Sequence, residues 1–518
     1  MNQTVNTLNS TTIISSSNLL VHKVPLIHTL ITAFHSYEIS YCHWKSNEHL
    51  DASMKADTDL DILFDEKQKD ELEVLLMELG FKKFVSIRQK QYKDIEDFIG
   101  LDLHSGKVVH LHLHYKLTLG EPYLKSYQLD LHKKILESRV WDDEFGIYRS
   151  DPNTELILLY IREALKMRNR DMVKMYLKNK IYYSENLIRE YNWLKRRCSS
   201  EDIKTILKGM FTNYLPVFFI VFGNFNRIET LKLSVIIKKE FRKNRQFLPL
   251  GALARRWYRE ICVKSYKKTS KFLNRPIMSH RINPRGGLIV GVVGADGSGK
   301  STVTANLYNT FEKKLDVYKI YFGRGVGRVS LPRKILLGFK KFFVQNPSKK
   351  QLEKSAQSVA DPRKGFIANV YKCLEALLVA NEKRRNIALM QAARKKGMLV
   401  ICDRFPQNQV MAYNDGPLLH HLSTSRNIIL RAIAKKEASI YALAEANPPD
   451  LLFKLIANAE VVEARKPGEH SLETLEKKIA GFKNMEISGK CKVVSIDAAR
   501  PLEEVLFIAK KEIWASYL

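Results

Sequence analysis

Three short stretches of this chain carry residue types whose spacing can do chemistry. The first is "GVVGADGSGKST", Gly291 to Thr302, in which G-x-x-x-x-G-K-S follows an apolar run. Glycines there let backbone amides approach a phosphate closely, and a following helix start adds the positive end of its dipole. The amides of Gly294, Gly297, Ser298, Gly299, Lys300, Ser301 and Thr302 are the expected phosphate cradle. Lys300 is expected to reach the β- and γ-phosphates of ATP, and the Ser301 hydroxyl to bind Mg²⁺. Asp296 sits inside this loop. A carboxylate aimed at the phosphates would repel them, so it must point elsewhere.

The second stretch is "MLVICDRF", an apolar strand pattern ending in Asp403-Arg404-Phe405. In open α/β sheets ligands gather at the carboxyl ends of strands, which puts Asp403 and Arg404 beside the phosphate crevice. The guanidinium offers a planar fork for a phosphate, and the acid could orient Mg²⁺ through water. The third stretch is "DTDLDILF", where Asp59 and Asp61 alternate with Leu60 and Ile62. Residues two apart on a strand share a face, so both carboxylates project together, an arrangement best tolerated around a metal ion. A hairpin is expected over "FIGLDLHSGKVVHLHLHYKL", turning at Ser105-Gly106. Asp102 within it is a candidate third metal ligand. Its second strand places His110, His112 and His114 on one face, either as metal ligands or as the polar side of a half-buried strand.

The elements that must position these residues follow from pattern and length. At 518 residues the chain is too long for one core, and several domains are expected. Net charge is uneven: −5 over residues 1–150, +19 over 151–290 and +16 over 291–518. The expected division is a flexible tail at 1–35, a metal-site domain at 36–140, a basic helical domain at 141–285 and a phosphate-binding domain at 286–518. The basic excess suits nucleic acid, an anionic surface or nucleotides, and solvated helix faces are the alternative. In the middle segment "RRWYREICVKSYKKTSKF" interleaves Trp257, Tyr258 and Tyr266 with basic residues. Such a run could stack on single-stranded nucleic acid, or simply pack. Six cysteines without a C-x-x-C pair point to reduced thiols and a cytoplasmic setting. The apolar run "LPVFFIVF" is far short of the ~20 residues a membrane span needs. From Leu288 onward, strand and helix patterns alternate, with "DLLFKLIA" and "KVVSIDA" as further strands, which predicts an α/β doubly wound parallel sheet.

The last 230 or so residues resemble thymidylate kinase and its P-loop relatives through "GADGSGKST", "DRF" at 403–405, "PPDLLFKL" and "SIDAARPLEEV", in that order. The resemblance implies that Asp296 faces the acceptor sugar and Arg404 holds the acceptor phosphate. It implies too that "EARKPGEH", with Arg465 and Lys466, is a mobile lid whose arginine neutralises the phosphoryl group in flight. A nucleoside monophosphate or similar phosphorylated metabolite would be the acceptor, and a dimer would be in keeping with the likeness. This sequence departs from the family where the acceptor pocket should be. "FGRGVGRVS", with Arg324 and Arg328, replaces an Arg-Glu-Pro-Gly-Gly stretch, Gln407-Asn408 stand where a serine is usual, and Tyr413 lies one residue late. Residues 36–140 resemble the nucleotidyltransferase superfamily, an α+β fold, in their turn followed by D-x-D, with Lys45-Ser46 replacing the usual Gly-Ser. Two other readings stay open: a nucleic-acid-directed end kinase or nucleotidyltransferase using the basic middle, and a regulator that senses nucleotides.

Overall fold

The computed structural model describes residues 23–178, 184–223, 227–273, 275–324, 330–343, 362–410, 416–468, 471–487 and 489–517. Two compact units are present, residues up to 272 with 279–284, and residues 273–278 with 285–518.

The first unit is built on a mixed sheet. Its strands are β1 (Tyr41–His43), β2 (Leu60–Phe64), β3 (Lys82–Ser86), β4 (Ile95–Leu101) and β5 (Val108–His114). A separate ribbon follows, β6 (Leu117–Leu119) and β7 (Tyr127–Leu129), then β8 (Val140–Asp142), β9 (Ile147–Arg149) and β10 (Arg281–Ile282). The order across the large sheet is β10-β3-β4-β5-β2-β1-β9-β8, with β2 and β5 parallel. Alternation along the strands divides the unit into two cores. Leu60, Ile62 and Phe64 of β2 join Val109, Leu111 and Leu113 of β5 in one core, which also takes Ile27, Leu30, Ile31 and Phe34. Leu63 faces the other way, into a core made with the helices that follow residue 151. Asp59, Asp61 and the three histidines of β5 belong to that second face.

The expected tail over 1–35 needs correction. Pro25–Ser36 is a helix, with Pro25 at its start and an apolar stripe buried against the sheet. Residues 1–22 lie outside the described residues. The segment from 151 to 273 is helical, and its helices pack within the first unit. Pro249–Leu273 buries Arg256 and Glu260, which pair with Glu121 and Lys264 respectively, while Trp257 and Tyr258 are exposed. The Tyr266 hydroxyl accepts from Gln89 Nε2 at 3.2 Å. No helix among the described residues is long and apolar enough to cross a membrane.

The second unit has a five-stranded, wholly parallel sheet: β11 (Leu288–Gly294), β12 (Val317–Tyr321), β13 (Leu399–Asp403), β14 (Leu451–Ile456) and β15 (Lys492–Asp497). Its order, β12-β13-β11-β14-β15, puts the first strand in the middle. Every residue of β11 and β13 is buried, as expected for strands covered by helices on both sides. The long helix Pro362–Lys395 ends before Gly397, whose φ of +79° makes it a left-handed stop.

Candidate functional site

β11 runs into a glycine loop and then the helix Lys300–Phe311. Gly294, Gly297 and Gly299 all have positive φ, and Gly299 caps the helix in a left-handed conformation. At Gly294 the need for glycine is twofold. Its φ is +152°, and an added Cβ would meet the Leu455 carbonyl oxygen at 2.5 Å and Ser298 Oγ at 2.7 Å. Gly294→Ala is therefore expected to displace the loop at a cost of a few kcal/mol. Titration with a fluorescent ATP analogue should show binding weakened at least about tenfold.

Lys300 is buried, and its Nζ donates to the carbonyls of Gly294 and Ala295, both at 2.7 Å. The ammonium thus lies folded over the loop it is expected to serve. Loop and helix start line a cavity of about 400 Å³, together with Arg404, Arg465, Lys466 and Arg500. Its remaining wall is apolar, from Val303, Ala498, Leu502 and Val505. Ser301 and Thr302 line it, and Ser298 is buried beside them.

Asp296 is held by the cations around it. Arg404 Nη1 lies 2.8 Å from its Oδ1, Lys300 Nζ 3.9 Å from the same oxygen, and Lys478 Nζ 4.0 Å from Oδ2. Burial pushes this carboxyl upward, but Lys300, Arg404 and Lys478 outweigh it and hold the group down at about 2. Asp296 does not line the cavity, whereas Arg404 does. The acid inside the loop thus faces the arginine of β13's end. Arg404 itself has φ +61°, a left-handed conformation that is costly for a side chain of this size and turns the residue out of the strand.

Asp403 closes β13 opposite Val292 of β11, is 2% exposed, and its Oδ1 has no hydrogen-bond partner among the described residues. An orphaned buried carboxylate oxygen one strand from the loop suits an outer partner of a Mg²⁺ held by Ser301. Three expectations for the acceptor side meet different outcomes. Gln407 is buried and spends its amide on Val410, accepting from its N–H and donating to its carbonyl, so it closes a turn. Arg324 pairs with Glu375 at 2.9 Å. Arg328 and Tyr413 lie outside the described residues. Arg465 and Lys466 end the helix Ala459–Arg465 and reach the cavity. Arg500 and Lys478 were not singled out by the sequence. Lys478 lies outside the quoted motifs and Arg500 inside "SIDAARPLEEV", and only the fold brings them to the loop.

In the first unit the D-x-D acids and the histidine row share a face of the sheet. Register sets this: Asp61 pairs with His112 between β2 and β5, and Asp97 of β4 pairs with His112 from the other side. His110 bridges two acids, with Nδ1 2.9 Å from Asp59 and Nε2 2.9 Å from Asp97. Asp61 Oδ1 receives Lys45 Nζ at 2.9 Å, His112 Nδ1 at 2.9 Å and His114 Nε2 at 3.3 Å. Burial opposes ionisation of Asp61, yet Lys45 and the two imidazoles hold it well below the usual carboxylate range. Burial also pushes His112 and His114 down, which favours neutral rings.

Asp102 is not part of this cluster. Its Oδ1 accepts from the Leu26 N–H and its Oδ2 from the Ser105 N–H and hydroxyl, so it ties the hairpin turn to the first helix. The third acid on this face is Asp97, which Arg281 and His110 hold well below its usual range despite burial. Sequence pattern favoured Asp102 because it precedes the turn, whereas cross-strand register selects Asp97. A cavity of about 470 Å³ adjoins, lined by Asp97, His112, Lys90, Tyr92, Lys125 and Arg281.

The turn before β2 is anchored by a buried carboxyl. Glu155 accepts from the Asn47 N–H at 3.0 Å, from Asn47 Nδ2 at 2.6 Å and from Ser150 Oγ at 3.2 Å. Ser46, next to it, has φ +58°. Burial raises Glu155 from 4.5 to about 7, against the lowering effect of the Asn47 hydrogen bonds. The folded chain therefore keeps a proton that the unfolded chain releases, so stability falls as pH rises from 4.5 to about 7 and levels off above. The total is about 3 kcal/mol. Urea melts between those pH values should show the decline, and Glu155→Gln should flatten it.

Strand, glycine loop and helix on a parallel sheet give the second unit an α/β architecture compatible with a P-loop NTPase. The chain is 28% identical over 234 residues to the uncharacterized ATP-binding protein YghS of Escherichia coli (strain K12), covering 44% of this chain and 93% of that one. It is 27% identical over 230 residues to the uncharacterized ATP-binding protein YghR of the same strain, covering 43% of this chain and 86% of that one. No family model matches.

Proposed function

We propose that the second unit is an ATP-dependent phosphotransferase that moves the γ-phosphoryl of ATP to a phosphorylated small-molecule acceptor, in the manner of thymidylate kinase. The observation that carries this is the cavity in which Gly297–Thr302 of the loop meet Arg404, Arg465, Lys466 and Arg500. So many cations around about 400 Å³ suit two phosphate-bearing ligands better than one. The ATP-binding names of the relatives support ATP as the donor.

In this reading the loop amides and Lys300 hold the β- and γ-phosphates. The apolar wall of Ala498, Leu502 and Val505 gives a flat base a dry surface. Mg²⁺, held by the Ser301 hydroxyl with Asp403 behind it, would offset charge on the β- and γ-phosphates. Arg404 grips the acceptor phosphate, with Asp296 fixing the guanidinium. An oxygen of that phosphate bonds to the γ-phosphorus as the bridging bond breaks, and the electron pair leaves with ADP. Arg465 neutralises the phosphoryl group between the two oxygens. A nucleoside monophosphate fits the resemblance, and the changed residues around 407 and 324 leave the base open.

A second reading, nucleotide transfer by the first unit, is favoured by Asp59 and Asp61 sharing one face beside an open cavity. One experiment tests the main proposal. The protein is incubated with γ-labelled ATP, Mg²⁺ and a panel of nucleoside monophosphates, sugar phosphates and oligonucleotides. Label on a small phosphorylated acceptor is the expected result. Label on oligonucleotide ends would favour the nucleic-acid reading, and ATP binding without any labelled product would favour a sensor.

A further inference from the structure

The densest convergence of metal-ligand atoms among the described residues lies in the first unit. Asp61, His112 and His114 each offer a ligand atom, and these atoms lie within 4.8 Å of one another. His112 Nδ1 and His114 Nε2 approach the same oxygen, Asp61 Oδ1, at 2.9 and 3.3 Å. Ligands about 2.0–2.2 Å from a four-coordinate zinc ion are spaced by roughly 3.3–3.5 Å, so the His114 separation of 3.3 Å equals a tetrahedral edge and the His112 separation of 2.9 Å needs a few tenths of an ångström of widening. The scaffold is rigid. Parallel register sets Asp61 opposite His112, and His114 stands two residues along the same strand. His114 is 1% exposed, and its Nδ1 has no hydrogen-bond partner among the described residues.

The donor set also discriminates between metals. Two imidazoles and one carboxylate suit zinc, iron, cobalt or nickel, whereas Mg²⁺ prefers oxygen ligands in octahedral array. Asp59, which a paired-carboxylate Mg²⁺ site would need, is engaged by His110 Nδ1 at 2.9 Å. A cation is already present in the cluster: Lys45 Nζ lies 2.9 Å from Asp61 Oδ1 and is 21% exposed. It sits on the turn preceding left-handed Ser46, from which a lysine side chain can swing into water.

We propose that Asp61, His112 and His114 form a site for one divalent transition-metal ion of the zinc class, and that the Lys45 ammonium occupies the position this ion takes. Ion and ammonium compete for one carboxylate oxygen, so Lys45 sets the affinity. His112 also lines the adjoining cavity of about 470 Å³, which gives solutes access to the ion. The inference is independent of the P-loop reading. It concerns which metal the D-x-D face accepts, and it replaces the Asp59–Asp61 pair as the ligand set.

The full chain, stripped with chelator and free of nucleotide, is titrated with Co²⁺ and then Zn²⁺. Stoichiometric uptake with the intense visible bands of low-coordinate Co²⁺, bleached by Zn²⁺ and untouched by excess Mg²⁺, is the expected result. Lys45→Met should tighten binding about tenfold. Asp61→Asn and His114→Gln should each weaken it about 100-fold. Variants at less buried positions guard against misfolding: His112→Gln should behave as His114→Gln does, and the exposed His104→Gln should bind as the parent does. Circular dichroism follows each variant. The proposal is overturned by absence of stoichiometric uptake, by displacement of Co²⁺ by Mg²⁺, by uptake indifferent to His112→Gln and His114→Gln, or by weaker binding in Lys45→Met. Loss of ATP turnover with metal uptake intact would leave it standing and count against the P-loop reading alone.

Discussion

Lys300→Met is expected to lower phosphoryl transfer by at least about 10³-fold, the scale of losing a positioned charge at a developing phosphoryl anion. The change keeps most of the length of the side chain and removes its charge. In the protein the ammonium bridges the carbonyls of Gly294 and Ala295, so two backbone acceptors lose a partner as well. Both residues are buried, so their carbonyls are left unsatisfied and the melting temperature should fall by several degrees as well. Steady-state turnover of γ-labelled ATP, with thermal melts of both forms, separates the two effects. A variant that retained more than a tenth of the parent's turnover would refute the assignment of Lys300 to the donor phosphates.

Asp296→Ala should produce the second largest effect, and for a reason that lies in its neighbours. Arg404, Lys300 and Lys478 surround one carboxylate. Without it, three cations face each other in a largely buried place, and the left-handed Arg404 loses the partner that orients its fork. Acceptor kcat/KM is expected to fall about 100-fold, with the KM for ATP changed by less than about threefold. Asp296→Asn, which keeps shape and loses charge, should fall in between. If Asp296 positions Arg404, Arg404→Ala and the double variant should lose about as much as Asp296→Ala alone. A linked effect on stability carries a definite sign. The folded carboxyl sits at about 2 against a reference value of 3.8, so it contributes stability above pH 3.8 that is lost as pH falls towards 2. The contribution is about 2 kcal/mol. Acid melts should show less loss in Asp296→Asn than in the parent.

Much of the second unit was legible because its signals are local. A buried parallel strand reads as a continuous apolar run, a phosphate loop needs glycine where φ is positive, and a helix stops at glycine. Leu288–Gly294, Gly299 and Gly397 each meet one of these conditions. Pro25–Ser36 is a helix directly behind a polar stretch whose composition alone suits a flexible tail. Its apolar stripe at Ile27, Leu30, Ile31 and Phe34 was the signal available.

Asp102 shows the opposite limit. A turn-flanking aspartate and a strand aspartate look alike in a sequence, and only pairing between strands tells which one faces His110 and His112. Asp97 is chosen by antiparallel register with β5, and Asp102 is consumed by Leu26 and Ser105. Gln407 likewise stood where an acceptor contact was expected, yet its amide matches the backbone of Val410 three residues on.

By itself the sequence determined the phosphate loop, the parallel strands around it and the alternation that sets Asp59 and Asp61 on one face, because each depends on residues close together along the chain. Tertiary structure alone decided that Asp296 faces Arg404 and Lys478, that Arg500 reaches the same cavity, and that Lys45, His112 and His114 meet on a single oxygen of Asp61. Charges from distant segments become neighbours only through strand order and register, and a sequence pattern does not encode either in any short window.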